Sequence, residues 1–313
     1  MSYTARFAGL LDGFVEGVVA SAVSDATAPL LARVTELLGE VEALDRAVDA
    51  GGVRVVELEA ECALLVARIA VLEKPADPAG WVTLYDSTFE KDDGWEKRQE
   101  TQSNDNSYNT PANVTFGDGM TIIGRRETVG GRPYTTGDVL GRHIRVPNYF
   151  RAEVTATVPV DYGMWPCALW FRPLTHGDSG EIDVMETWPF DWNGTPRLYS
   201  TVWENYTTKR KENARLDYSK LPNPDPAAPH TYVVEKKAGS ITFSVDGVTV
   251  YSWSKPTMNT RIASWYDSVY EIPGREWYPR ITLQIGGPNA KEPTPEWQES
   301  RMVIHRLRIF KEA

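Results

Sequence analysis

The chain has little to brace it covalently, with two cysteines, Cys62 and Cys167, among 313 residues. They lie far apart in segments of different character, so they make no disulfide framework, and they lack the local spacing of a zinc site. No run approaches the eighteen or so apolar residues that a membrane span needs. Basic residues are outnumbered: 33 Lys and Arg against 43 Asp and Glu give a formal net charge of −10. That balance argues against nucleic acid or an anionic membrane as partner, and membrane insertion is not expected. Histidine is sparse as well. His176, His230 and His305 are scattered, and nothing in their placement points to a metal or a catalytic imidazole. No cofactor is expected. The apolar stretch from Phe7 to Val23 reads as a poor export signal, because Asp12 and Glu16 interrupt it and only Arg6 precedes it.

What is present changes character along the chain. Residues 1–28 read as a docking helix, with Phe7, Leu10, Leu11, Phe14 and Val18 on one side. Gly9, Gly13 and Gly17 would let another helix approach closely, at a cost of about 1 kcal/mol each in helix propensity. A segment that orders against a partner and a simple terminal helix both fit this pattern. Over residues 29–75 a heptad pattern places Val34, Val41, Val48, Val55, Cys62 and Ile69 on one seam. Leu30, Leu37, Leu44, Leu58, Leu65 and Leu72 form the other. Such alternation predicts a coiled coil that self-associates as a dimer or trimer. Gly51-Gly52 is its weak point, where the alternative is a helical hairpin within one chain. Cys62 is then a small core residue. Residues 76–80 form a short linker stiffened by proline.

From Trp81 the texture is short apolar or alternating runs broken by Gly, Pro, Asn and Asp, and all 11 tryptophans lie here. The strand candidates are Trp81–Tyr85, Met120–Gly124, Phe150–Val158, Leu198–Trp203, Tyr232–Lys236, Ile241–Val245, Arg280–Gly286 and Met302–Phe310. Many short strands separated by turn signals indicate a β-sandwich or barrel over residues 81–313. Asp246-Gly247 is a hairpin turn. Glu90 to Pro111 reads as a long polar loop, and Pro222 to Pro229 as a rigid connection.

The stretch Gly180-Glu181-Ile182-Asp183-Val184-Met185-Glu186-Thr187-Trp188 places three carboxylates in an apolar strand. Glu181 and Asp183 share a face by the period of two, and Glu186 is out of phase. It joins them only if the strand carries an extra residue, as strands beside active sites often do. Gathering like charges costs free energy unless their proton affinities are pushed apart, and a carboxylate pair in that state suits glycoside hydrolysis. The bland alternative is an edge strand with acidic decoration.

Glu181-Ile182-Asp183-Val184-Met185-Glu186 resembles the active-site strand of glycoside hydrolase family 16, the laminarinase, lichenase and agarase group. Supporting segments are Tyr134–Gly137, Phe150–Val154, Gly163–Trp170, His230–Glu235, Ser244–Gly247 and Met302–Phe310, so the resemblance spans about residues 81–311. It implies a mainly β fold, a concanavalin A-like β-jelly-roll sandwich, here preceded by the α-helical coiled coil. It also implies a retaining endo-glycosidase acting on a β-linked glucan or galactan, with Glu181 as nucleophile and Glu186 as acid/base. Asp183 would hydrogen-bond one of them, or serve a backbone amide. Trp165, Trp170 and Trp188 are candidate sugar platforms, with Trp170 equally suited to the core. Trp203 is a further substrate-binding candidate and stands where many relatives carry histidine. Trp265, Trp277 and Gln284 are candidates for the far wall of the groove, and Glu204, Asn205 and Arg210 for sugar hydroxyls. Some relatives hold a structural calcium, for which no strong acidic loop stands out here. A carbohydrate-binding or structural module on the same fold is the alternative to an enzyme. The whole arrangement resembles enzymatic bacteriophage tail proteins, which implies a virion location, docking to other tail proteins through residues 1–28, and a polysaccharide of the host envelope as target. A bacterial surface or extracellular enzyme is the other placement.

Overall fold

The computed structural model describes residues 76–188, 197–205 and 207–313. The chain divides into two compact units, Met1–Ala76 and Asp77–Ala313. The expected docking helix and coiled coil lie outside the described residues, and every described strand belongs to the second unit.

Its strands in chain order begin with β1 (Trp81–Ser87), β2 (Glu96–Lys97), β3 (Glu100–Thr101), β4 (Ser107–Asn109), β5 (Val114–Thr115), β6 (Met120–Arg125) and β7 (Tyr134–Thr136). Next come β8 (Asp138–Leu140), β9 (Val146–Pro147), β10 (Phe150–Thr157), β11 (Met164–Pro173), β12 (Glu181–Trp188) and β13 (Arg197–Trp203). The last are β14 (Lys211–Asp217), β15 (His230–Lys237), β16 (Ser240–Val245), β17 (Val248–Ser254), β18 (Glu276–Ile285) and β19 (Glu299–Glu312). One sheet has the order β17-β16-β15-β10-β19-β6-β7-β4-β3, with β1 on β19 and β5 on β6. The other has the order β14-β13-β12-β11-β18-β8-β2, with β9 on β18. Neighbours distant in sequence, such as β10 beside β19 and β11 beside β18, mark a sandwich closed by long connections rather than a simple meander.

Alternation explains the packing. In β10, Phe150, Ala152, Val154 and Ala156 are fully buried between the sheets. Arg151 and Glu153 take the outer face, where Arg151 binds both Glu153 and Glu235. Each large apolar side chain so buried contributes roughly 1.5–3 kcal/mol, so the unit needs no covalent brace. Every strand candidate from the sequence overlaps an observed strand, with Val158 and Gly286 lying one residue past the ends of β10 and β18. The hairpin at Asp246-Gly247 has positive φ at both positions, 48° and 78°, as a type I′ turn requires. Within the polar loop, Ser107–Asn109 forms a short strand parallel to β7.

Among the described residues two helices, one of them the single turn Gly287–Ala290, depart from the all-strand expectation. Thr260–Tyr270 is a helix, α1, capped by Asn259, whose side chain accepts from the amides of Arg261 and Ile262. Ile262, Trp265, Tyr266, Val269 and Tyr270 are its buried residues, at the spacing of an amphipathic helix.

Candidate active site

The site is built on β12, and its geometry depends on a bulge. Along β13, Asp183 faces Thr201 and Glu186 faces Tyr199, so three steps on β12 match two on its neighbour. On the other side Trp170 faces Asp183 and Leu169 faces Met185, again with one extra residue on β12. The extra residue therefore lies at Val184-Met185, and both side chains are buried in the core. Their burial anchors the bulge and returns Glu186 to the face of Glu181 and Asp183. All three carboxylates are nearly buried, with 6%, 4% and 7% of their surface exposed for Glu181, Asp183 and Glu186.

Each is held by a different donor. The Trp165 indole N–H donates to Glu186 Oε1 at 3.0 Å, and the Thr201 hydroxyl donates to Oε2 at 3.2 Å. Trp203 Nε1 donates to Asp183 Oδ2 at 3.0 Å. Arg172 lies 3.4 Å from Glu181 Oε2 and also donates to the carbonyls of Gly180 and Asp178. Burial, then the nearby charge of Glu181, pushes the Glu186 carboxyl up to about 7, against the pull of Trp165, Lys211 and Thr201. Asp183 is driven well above the usual carboxylate range by burial first, then by Glu181 and Glu186. A cluster with its proton affinities raised in this way can hold a proton at neutral pH and give it up to a substrate.

The strand's entry is fixed from beneath. The Tyr270 hydroxyl at the end of α1 lies 2.7 Å from the Glu181 carbonyl and 2.6 Å from that of Trp203, and its single proton serves both. Gly180 has φ of +104°, and a Cβ there would come within 2.9 Å of Trp277 and of Val269. Its N–H donates to the Glu204 carbonyl at 2.7 Å. The Trp277 ring stacks on Tyr270, with centroids 5.7 Å apart and planes 11° apart, and its Nε1 donates to Asn148.

These contacts correct several expectations. Trp265 and Trp277 are 1% and 0% exposed; they cannot meet a sugar, because α1 turns Trp265 into the core and Trp277 props the start of β12. Trp170 is also buried. Arg280 covers one face of its ring at 4.0 Å, and its Nε1 donates to Thr282. Its role is in the floor beside the site rather than as an open platform. Trp165 and Trp203 are half-buried and bind carboxylates of the β12 cluster through their N–H groups. The Trp188 side chain is outside the described residues. Glu204 is taken up by Arg210 and Thr208 and braces a turn. Gln284 lies opposite Trp165 on β18 and accepts from Asn104 at 3.1 Å, which ties the polar loop to this edge of the site. Tyr270, Arg172 and Lys211 escaped the sequence reading. Tyr270 could have been found from the helical spacing of its segment, whereas Arg172 and Lys211 carry no local signal. Among the described residues no group of three or more His, Cys, Asp or Glu side chains could hold a metal ion.

No protein-family model matches the chain. A β-glucanase of Rhodothermus marinus is 26% identical over 211 residues, covering 64% of this chain and 70% of the relative. The catalytic domain of an endo-1,3-β-glucanase (laminarinase) from Thermotoga petrophila superposes with a TM-score of 0.61 at 20% identity, over 74% of this chain and 98% of that one. A non-specific endo-β-1,3(4)-glucanase from glycoside hydrolase family 16 gives 0.60 at 19% identity, over 77% and 95%. The fold is that of these glucanases, and the mainly β sandwich expected from the sequence is what the second unit adopts.

Proposed function

We propose that this chain is an endo-acting glycoside hydrolase that cuts a β-linked glucan or galactan with retention of configuration. Glu181 attacks the anomeric carbon and forms a glycosyl ester, while Glu186 gives its proton to the departing oxygen. Glu186 then takes a proton from water, which attacks the ester, frees the sugar and regenerates Glu181. Asp183 lies between them on the same face and buffers the charge that shifts from one to the other. The observation that carries this reading is the bulge at Val184-Met185, which brings three buried carboxylates to one face and holds each with its own donor. A binding or structural module gains nothing from concentrating that much like charge. The likeness to glucanases supports the same class of substrate.

The heptads of residues 29–75 support a further part of the proposal. Self-association there would present several clefts to one polymer, as a tail component acting on a host envelope requires, with residues 1–28 docking to neighbouring tail proteins.

A panel of laminarin, lichenan and agarose tests the reaction, comparing the wild type with Glu181→Gln by reducing ends and product size. The expected result is shortening of one polymer by the wild type, with products first appearing in the anomeric form of the substrate by proton NMR, and no cleavage by the mutant. Binding without cleavage by the wild type would place the protein among recognition modules instead.

A further inference from the structure

We infer that Trp203 and Lys211 form a positioning pair that fixes the orientation and charge of Asp183, and that this, rather than stacking on a sugar, is the role of Trp203. The inference rests on reading the three carboxylates as the catalytic set. Glu181, Trp203 and Lys211 lie directly opposite one another across β12, β13 and β14, and residues so paired share a face. The Trp203 indole reaches along that face to donate its N–H to Asp183 Oδ2 at 3.0 Å. The Lys211 ammonium stands 4.4 Å from the centre of the same ring. Lys211 makes no ion pair with a carboxylate among the described residues.

The chemistry is set by the order of these groups. An indole nitrogen can only donate, so Oδ2 is an acceptor here, and the bond is strongest when Oδ2 carries no proton. A cation over the ring face is drawn to its quadrupole, and it holds the indole in the rotamer that meets Asp183. Its charge also acts on the cluster at a remove. A lysine bonded directly to Asp183 or Glu186 would hold that group ionised and spoil its use as a proton store, whereas one separated by the width of a ring moderates the effect. The other titratable groups that act on or are acted on by Asp183 are Glu181 and Glu186 on its own strand, Cys167 on β11 and Tyr270 from α1, with Arg280 of β18 acting on the same Cys167. Arg172 binds Glu181 and Arg280 is paired with Asp138, whereas Lys211 is the cation whose charge lowers the raised proton affinity of both Asp183 and Glu186.

The test uses the full chain with nitrogen-15 in its tryptophans. The Trp203 indole resonance, assigned by its loss in Trp203→Phe, is followed against pH in the wild type, Lys211→Met and Lys211→Arg. The wild-type resonance is expected to titrate with Asp183. Its midpoint should rise by about one pH unit in Lys211→Met and return toward the wild-type value in Lys211→Arg. In kinetics, the basic limb of kcat/KM moves alkaline in Lys211→Met, and Trp203→Phe lowers kcat while leaving KM nearly unchanged. An indole resonance that stays flat with pH, or a midpoint that Lys211→Met does not move, overturns the pair. So does a Trp203→Phe variant that raises KM alone, since that marks a sugar platform. Spectra need no turnover, so the two readings fail separately: a titrating indole without hydrolysis of any polymer overturns the enzyme, and hydrolysis with a flat indole overturns only the pair.

Discussion

At the scale of single residues, Glu186, the proposed acid/base, is expected to govern the pH behaviour. Its carboxyl, raised to about 7 from 4.5, keeps its proton through the weakly acidic range, so the basic limb of kcat/KM is expected near pH 7. The consequence for stability has a definite sign. Between about pH 4.5 and 7 the folded chain holds a proton at Glu186 that the unfolded chain has lost, so this group's contribution falls as pH rises through that window. Glu186→Gln should therefore melt at a higher temperature than the wild type at pH 8, with the gap closing toward pH 4.5, while general acid/base help worth about 10²–10⁴-fold in rate is lost. Thermal melts at the two pH values check the sign. Trp165 and Trp265 look alike in the sequence and differ in the fold. Trp265→Ala should cost about 3–5 kcal/mol of stability from the cavity left under α1. Trp165→Phe, which removes a donor that favours the ionised form of Glu186, should move the basic limb alkaline with little change in melting temperature. The three carboxylates were legible from their strand, whereas the aromatic roles were not. A tryptophan code is the same whether the ring lies in a core, under an arginine or beside a carboxylate, and only the neighbours decide.

At the scale of elements, β12 works because of one extra residue and a glycine. Inserting alanine after Val184 would lengthen the bulge and turn Glu186 toward the sheet interface. The expected result is a loss of activity at least as large as for Glu186→Gln, together with a lower melting temperature, since Glu186 would enter the core or Val184 and Met185 would leave it. Gly180→Ala tests the strand's entry. A Cβ at φ of +104° and 2.9 Å from Trp277 and Val269 must displace the support beneath Glu181. Destabilisation of about 1–3 kcal/mol, read by urea unfolding, should come with a fall in kcat. The need for a bulge could be read from the phase of Glu186, because alternation by two is a property of every strand. The helix α1 was hidden by expectation rather than by lack of signal. Its apolar residues keep helical spacing, and Asn259 is a good cap, yet a short helix among strands is easily taken for another apolar run.

At the scale of the molecule, Asp77–Ala313 has its own core and its own site. If residues 29–75 join chains, the full chain and the isolated unit should have equal kcat on a short oligosaccharide. On a long polymer the full chain should bind more tightly, by about 10²-fold or more where two clefts engage together. Equal apparent affinity on the polymer, or a monomer of the full chain by light scattering, would remove the assembly reading.

From its own patterns the sequence determined a unit of many short strands, a sandwich or a barrel, the strand that bears the carboxylates and the need for an extra residue between Asp183 and Glu186. These come from local rules, the period of a strand and the cost of gathering like charges, which hold wherever the segment lies in space. Only the tertiary structure decided that Tyr270 secures the start of β12, that Trp277 lies beneath Gly180, and that Lys211 reaches Asp183 through the ring of Trp203. Those contacts join residues far apart in the chain or set on neighbouring strands. Their partners are chosen by sheet order and register, which no single segment encodes.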